Sequence, residues 1–171
     1  MNISTSALQE KNAKHLIQSF SDLSYIKNPE STHIISRADG VYIYDNDGKK
    51  ILDSMSGLWC VNMGYGQQSI IEAVNEQMKE LVYYNNFFGS SHPSAIKLSE
   101  MIANKTPEGM NKVYFCGSGS EANDTVVRLA RHYWAAKGKP SKSVIISRTN
   151  AYHGSTMAGA SLGGMSAMHA Q

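Results

Sequence analysis

Val113-Tyr114-Phe115-Cys116-Gly117-Ser118-Gly119-Ser120-Glu121-Ala122-Asn123-Asp124 decides the fold. Val113 to Cys116 is a short apolar, partly aromatic run, the pattern of a strand covered on both faces. Gly117 and Gly119 lack a Cβ, so the chain can turn sharply and approach a ligand closely. Ser118 and Ser120 are both suited to cap a helix, and Ser118-x-x-Glu121 fits a capping box. The helix that follows opens with backbone N–H groups that have no intrahelical partner, at the positive end of its dipole. Those donors and the serine hydroxyls together predict a phosphate cradle.

Downstream, Val126, Leu129, Ala130, Tyr133 and Trp134 recur at helical spacing, and Lys137-Gly138-Lys139-Pro140 ends the helix. Ser143-Val144-Ile145-Ile146-Ser147 is a second strand of the buried type. Strand, helix, strand in this order is a right-handed βαβ unit of an α/β fold. Two such strands cannot form a stable sheet alone. Their continuous apolar character predicts neighbours on both sides, so the sheet is expected to be incomplete within these 171 residues.

Upstream, Leu8 to Phe20 shows weak helical periodicity. Val41-Tyr42-Ile43-Tyr44 and Lys50-Ile51-Leu52-Asp53 flank Asp45-Asn46-Asp47-Gly48, which predicts a hairpin. Asp45 and Asp47 suit that turn; the rest of a calcium loop is missing. Gly57-Leu58-Trp59-Cys60 opens a glycine-punctuated loop through Gly66. Ser69 with Glu72 reads as a capping box opening a helix with Ile70, Val74, Met78, Leu81 and Val82 on one side. An aromatic loop, Tyr83-Tyr84-Asn85-Asn86-Phe87-Phe88-Gly89, follows. Another helix starts at His92-Pro93 and stops near Thr106-Pro107.

The net charge of +2 and four scattered arginines give no basic patch, which argues against nucleic acid and membrane surfaces as partners. The polar stretch from Met1 to Ser6 has no signal-peptide pattern, and no apolar run is long enough to span a bilayer. Cys60 and Cys116 sit in apolar surroundings and read as two buried thiols of a reducing compartment. The six histidines lack metal-ligand spacing, so no metal is expected. Together these features point to the cytoplasm.

Two cofactors compete for the glycine loop. Gly117-x-Gly119-x-x-Ala122 matches a dinucleotide fingerprint in a strand-loop-helix context. That fold also wants an acidic residue at the end of the second strand, where Arg148 stands instead; an arginine there suits a 2′-phosphate and keeps an NADP reading open. Tyr152-His153-Gly154 lies at the carboxyl end of the second strand, the rim where open α/β sheets bind ligands. A tyrosine there can lie flat on a planar ring, with room left beside it by Gly154. A phosphate cradle and an aromatic plate on successive loops suit pyridoxal phosphate (PLP), while Tyr152 as a core residue with His153 as its neighbour is the plain structural alternative.

Four separated motifs in order carry a resemblance that covers nearly the whole chain: Asp53-Ser54-Met55-Ser56-Gly57-Leu58-Trp59, Tyr84-Asn85-Asn86-Phe87-Phe88, Gly117 to Asp124, and Tyr152-His153-Gly154-Ser155-Thr156. The chain resembles the N-terminal part of class III PLP-dependent aminotransferases of the omega-amino acid or amine:pyruvate type. The resemblance implies the first part of a fold-type I PLP-dependent transferase. A small N-terminal α+β segment, residues 1–66, would precede the first βαβ of the large PLP-binding domain, residues 67–171, incomplete at its C-terminus. It implies that Ser118, Gly119 and Ser120 bind the PLP phosphate, that Tyr152 stacks on the pyridine ring with His153 beside it, and that Trp59 lines the substrate pocket. Phe87 and Phe88 would form an aromatic wall near the interface of a homodimer with shared active sites, with plain dimer-core packing as the alternative. Glu121 sits awkwardly beside a phosphate and is expected to turn toward capping or packing.

The implied reaction moves an amino group from an omega-amino acid or amine donor to a keto acid such as pyruvate. The lysine that holds PLP as a Schiff base is expected beyond Gln171, since none of the twelve lysines here stands in the matching motif. No catalytic residue is therefore assigned within the chain, and the chain alone is expected to be inactive. Two other readings stand beside it: a non-catalytic interaction fragment pairing with a full-length subunit, and an NADP-dependent oxidoreductase.

Overall fold

The computed structural model describes residues 3–170; Met1 and Asn2, which open the polar N-terminal stretch, and Gln171 lie outside the described residues. The chain forms two compact units, Met1–Asn85 and Asn86–Gln171.

In the first unit, α1 (Thr5–His15) is capped by Ser4, whose hydroxyl accepts from the Ala7 amide. It ends five residues short of Phe20, at an extended Leu16. Gln9 and Asn12 on α1 donate to the carbonyl and hydroxyl of Thr32, a buried polar residue. That anchors α1 beside the short helix α2 (Leu23–Ile26) and the 3-10 turn Pro29–Ser31. Ile26 is the apolar side chain that reaches core burial among the described residues.

The predicted hairpin is present and gains a third strand. β1 (Ile35–Asp39), β2 (Tyr42–Asp45) and β3 (Lys50–Leu52) form an antiparallel meander in that order. Ile43 faces Ile51, and Arg37 faces Tyr44, with a bulge between Ile35 and Arg37. The Asp45 carboxylate accepts from the amides of Asp47 and Lys49, so it serves the turn. Tyr65 pairs with Gly40 through both backbone groups, which ties the loop after β3 to the end of β1.

A single turn, α3 (Ser56–Trp59), then precedes α4 (Gln68–Glu80). The capping box expected at Ser69 and Glu72 does not form. The cap position falls on Gln67, which makes no side-chain cap bond, and Glu72 instead accepts from Gln68 one turn earlier. An i,i+4 pair on the helix surface has replaced the reciprocal cap. The stripe of Ile70, Val74 and Met78 is formed as expected but lines an open groove with Leu81 and Val82.

In the second unit, α5 (Pro93–Ala103) starts with proline in its first turn behind a His92 cap. α6 (Gly119–Ala136) is capped by Ser118 and closed by a Schellman turn. There the Gly138 amide donates to Ala135 and the Lys139 amide to Trp134, with Gly138 at φ +71°. Two short helices follow, α7 (Met157–Leu162) and α8 (Ser166–His169).

The two strands expected at Val113–Cys116 and Ser143–Ser147 are a correction: both segments lie outside the β-ladder, which holds β1 to β3 only among the described residues. They are not buried either; Val144 is 85% and Ile146 92% exposed. A strand of this composition is held by neighbours on both sides, and here it has none. The cysteines follow suit. Cys60 and Cys116 are exposed free thiols, where burial was expected.

Among the described residues the chain is a partial α/β fold, with the helices α1 to α8 and the three-stranded β1–β3 sheet.

Candidate active site

The start of α6 and the loop after Arg148 meet in the second unit. Ser118 is extended at φ −158°, and its hydroxyl accepts from the Glu121 amide at 3.2 Å. Glu121 turns back, as expected, but its carboxylate accepts from the amide of Gly117 at 2.7 Å, one residue before the cap. The amides of Gly119 and Ser120 belong to the first turn, where N–H groups have no intrahelical acceptor. A Cβ placed on Gly119 would meet nothing within 4 Å, so the backbone there is open to approach.

Three side chains of the first turns of α6 hold the second loop. Ser120 Oγ accepts from the Ser155 amide at 3.1 Å. Asn123 donates to the His153 carbonyl at 2.7 Å. Asp124 Oδ1 accepts from the Thr156 hydroxyl at 2.7 Å and from the Gly159 amide at 3.1 Å. Gly154 makes the approach possible: its φ is +127°, and a Cβ there would lie 2.6–2.9 Å from atoms of Ser120. Tyr152 and His153 are thereby fixed beside the helix start, with Tyr152 about half exposed. On the far side of the loop, Gly164 exchanges backbone bonds with Asn150 and Ala151.

The start of α6, with Ser118, Gly119 and Ser120, thus lies beside the loop of Tyr152 and His153, joined to it through the Ser120–Ser155 and Asn123–His153 bonds. The parts played by Asn123, Asp124, Thr156 and Gly159 were not assigned from the sequence. Their partners lie 30 to 35 residues away, so no local spacing marks them. Phe87 and Phe88 stack at a tilt, with ring centroids 6.0 Å apart, and Phe88 has a positive φ of 55° and a fully exposed ring.

Trp59 stands in the first unit, on the α3 turn. Ser56, Gly57, Leu58 and Trp59 have φ of 49°, 59°, 62° and 64°, so α3 winds left-handed. L-residues lose about 1–2 kcal/mol each in such a turn, so Ser56, Leu58 and Trp59 need roughly 3–6 kcal/mol of compensation from their surroundings. Asp53 supplies part of it. Its carboxylate accepts from the Gly57 amide at 2.7 Å, the Met55 amide at 3.2 Å and the Tyr65 hydroxyl at 2.8 Å. The Tyr65 hydroxyl is the main reason that the Asp53 carboxyl lies below its usual range; the Gly57, Met55 and Ser56 amides add to it against a desolvation cost. The same bond raises Tyr65.

A family profile described as "Aminotransferase class-III" matches residues 25–171. The chain belongs to the class III aminotransferase family. It is 53% identical, over 170 residues, to a putrescine–pyruvate aminotransferase of Pseudomonas aeruginosa. That match covers 99% of this chain and 37% of the relative. A thermostable (S)-enantioselective omega-transaminase of Thermomicrobium roseum superposes with a TM-score of 0.92 at 33% identity, over 99% of this chain and 37% of its own. The omega transaminase of Pseudomonas jessenii, solved in complex with PMP, gives a TM-score of 0.90 at 39% identity over 95% of this chain and 36% of its own. The chain therefore spans little more than a third of the length of these class III relatives.

Proposed function

We propose that this chain is the cofactor-cradling part of an aminotransferase that moves an amino group from an amine or omega-amino acid to a keto acid such as pyruvate. The observation that carries the reading is the bonded junction of Ser120, Asn123 and Asp124 with the loop 153–159. It holds the start of α6, with the free N–H groups of its first turn, against the loop that follows Tyr152.

Pyridoxal phosphate fits that junction. The hydroxyls of Ser118 and Ser120 each accept one backbone bond and still carry an O–H to donate. With the Gly119 and Ser120 amides and the helix dipole they would hold the phosphate dianion. Glu121 keeps its charge, and its carboxylate is turned back onto the Gly117 amide. Tyr152 would cover one face of the pyridine ring, with His153 beside it. Bound PLP supplies the electron sink for amino-group transfer; the chain supplies binding and orientation. The Schiff-base lysine lies beyond Gln171 in this reading, and the large domain begins at residue 67.

Trp59 lines the substrate pocket, and the Phe87-Phe88 loop belongs to an aromatic wall at the interface of a homodimer. Residues 1–171 alone would not catalyse transfer. The free thiols Cys60 and Cys116 suit the cytoplasm.

The test loads the protein, as its own cell makes it, with PLP and reduces it with borohydride. We expect saturable PLP binding, a pyridoxyl-lysine outside residues 1–171, and amine-dependent conversion of pyruvate to alanine. A stoichiometric adduct on any of Lys11 to Lys142 overturns the placement of that lysine. Quenching of tryptophan fluorescence by NADPH with no response to PLP overturns the aminotransferase reading itself.

A further inference from the structure

We propose that Asp53 and Tyr65 form a clamp that holds the left-handed α3 turn, and that through it Asp53 is a positioning residue for Trp59 and so for the choice of amine donor. The proposal rests on the reading of Trp59 as a pocket residue.

The turn has every reason to unwind. Four consecutive residues sit at φ between 49° and 64°, and only one of them is glycine. Its own bonds, Trp59 amide to Met55 carbonyl and Cys60 amide to Ser56 carbonyl, are the ordinary ones of a helical turn and would form as well in a right-handed one. What distinguishes the left-handed form here is the clamp. Asp53 is fixed at its own backbone, where its amide donates to the Val41 carbonyl at the edge of β2. From there its carboxylate reaches forward to Met55 and Gly57, inside the turn. Tyr65 is fixed by its two backbone bonds to Gly40 and brings its hydroxyl to the same carboxylate. The carboxylate thus joins the two ends of the loop 53–65 to its strained middle.

Gly57 is where the parts meet. A Cβ at that position would lie 2.7 Å from Val61 Cγ2 and 3.0 Å from the Tyr65 hydroxyl. Glycine lets Tyr65 pass over the turn to reach Asp53, so the clamp and the turn's handedness depend on one another. Trp59 is the last residue of the turn and is 76% exposed. Within these residues its ring has little packing, and the backbone of the turn sets the direction in which it leaves the chain.

The test is made on the full-length protein labelled with fluorotryptophan. The Trp59 fluorine line is assigned by its disappearance in Trp59→Phe. In Asp53→Ala and in the milder Tyr65→Phe, we expect that line to narrow and move toward the unfolded-chain position. Leu58→Gly added to Asp53→Ala should move it part of the way back, because glycine occupies φ near 62° without steric cost. Michaelis constants are measured for an arylalkylamine and a short aliphatic amine. Their ratio should shift by about five-fold in Asp53→Ala, in the same direction as in Trp59→Ala, a KM effect in excess of any change in kcat. A Trp59 line unmoved in both Asp53→Ala and Tyr65→Phe overturns the clamp. A line that moves, with a donor ratio that shifts in Trp59→Ala but not in Asp53→Ala, overturns the link to donor choice. A ratio unchanged in Trp59→Ala removes the pocket reading and the donor half with it, while the fluorine line alone decides the clamp.

Discussion

Two glycines separate the contributions that a missing Cβ makes. Gly138 closes α6 at φ +71° with nothing within 4 Å of where a Cβ would stand. Gly138→Ala should therefore cost only the left-handed conformation, about 1 kcal/mol, read as a small fall in melting temperature with ligand binding intact. Gly154 combines φ +127° with three atoms of Ser120 within 2.9 Å of the same position. Gly154→Ala must also push the loop off α6, breaking the bonds of Ser120 and Asn123 at 3.1 and 2.7 Å. We expect about 2–4 kcal/mol of destabilisation and at least about ten-fold weaker PLP binding, measured by denaturant unfolding and cofactor titration. Equal effects of the two substitutions would refute the docking role of Gly154. At this scale the sequence was informative about chemistry and less so about targets. Glu121 was read as a residue that turns toward capping or packing; it takes the Gly117 amide, one residue before the one a capping box would use, a difference no residue pattern encodes. Asp124 carries two bonds of the junction, yet in the sequence it is one more polar residue of a helix.

Among the elements, those whose bonds close within a few residues were legible. α5 starts at its His92-Pro93 signal, α6 runs from a serine cap to a glycine turn, and β2 pairs with β3 across Asp45 to Gly48. β1 was not foreseen, because Ile35-Ser36-Arg37-Ala38-Asp39 lacks a clean alternation, although Asp39-Gly40 at its end is a turn dipeptide. The α3 turn was read as an open loop, since nothing in Ser56-Gly57-Leu58-Trp59 itself signals a left-handed turn. Its pH response follows from Asp53 and Tyr65. Asp53 has a lowered pKa in the folded chain, so its support for the turn is complete above the usual carboxylate range. That support is lost as pH falls through the lowered value. Tyr65 has a raised pKa, so its support is complete below the usual phenol range and is lost as pH rises through the raised value. The Trp59 fluorine line should hold constant between those limits and move on both flanks. In Tyr65→Phe the acid flank should shift upward and the alkaline flank should vanish. A single flank unchanged by Tyr65→Phe would show that another group governs the turn.

For the molecule as a whole, surface area is the governing quantity. A folded monomer of 18.7 kDa is expected to expose about 8,300 Å², whereas this chain exposes 14178 Å². The excess is concentrated on side chains whose patterns ask for cover. Ile70, Val74 and Met78 on α4 are half exposed, as are Val126, Leu129 and Tyr133 on α6, and Val144 and Ile146 are almost bare. That patterning predicts an interior, whereas among the described residues these side chains are exposed. That is why strands could be predicted at 113–116 and 143–147 and yet find no ladder. The relatives are nearly three times as long as the stretch they share with this chain, and that length is where the cover is to be sought. The consequence is measurable by hydrogen exchange. In an isolated polypeptide of residues 1–171, amides of 113–116 and 143–147 should exchange within about ten-fold of an unfolded chain, since no acceptor strand protects them. Amides of the β1–β3 meander and the middle of α6 should be slower. In the protein as its cell makes it, the two apolar segments should instead rank with its best protected strands, because they would lie in the centre of a parallel sheet. Protection of both segments in the isolated polypeptide would mean that its own copies supply the missing strands, and light scattering would then register an assembly larger than 18.7 kDa.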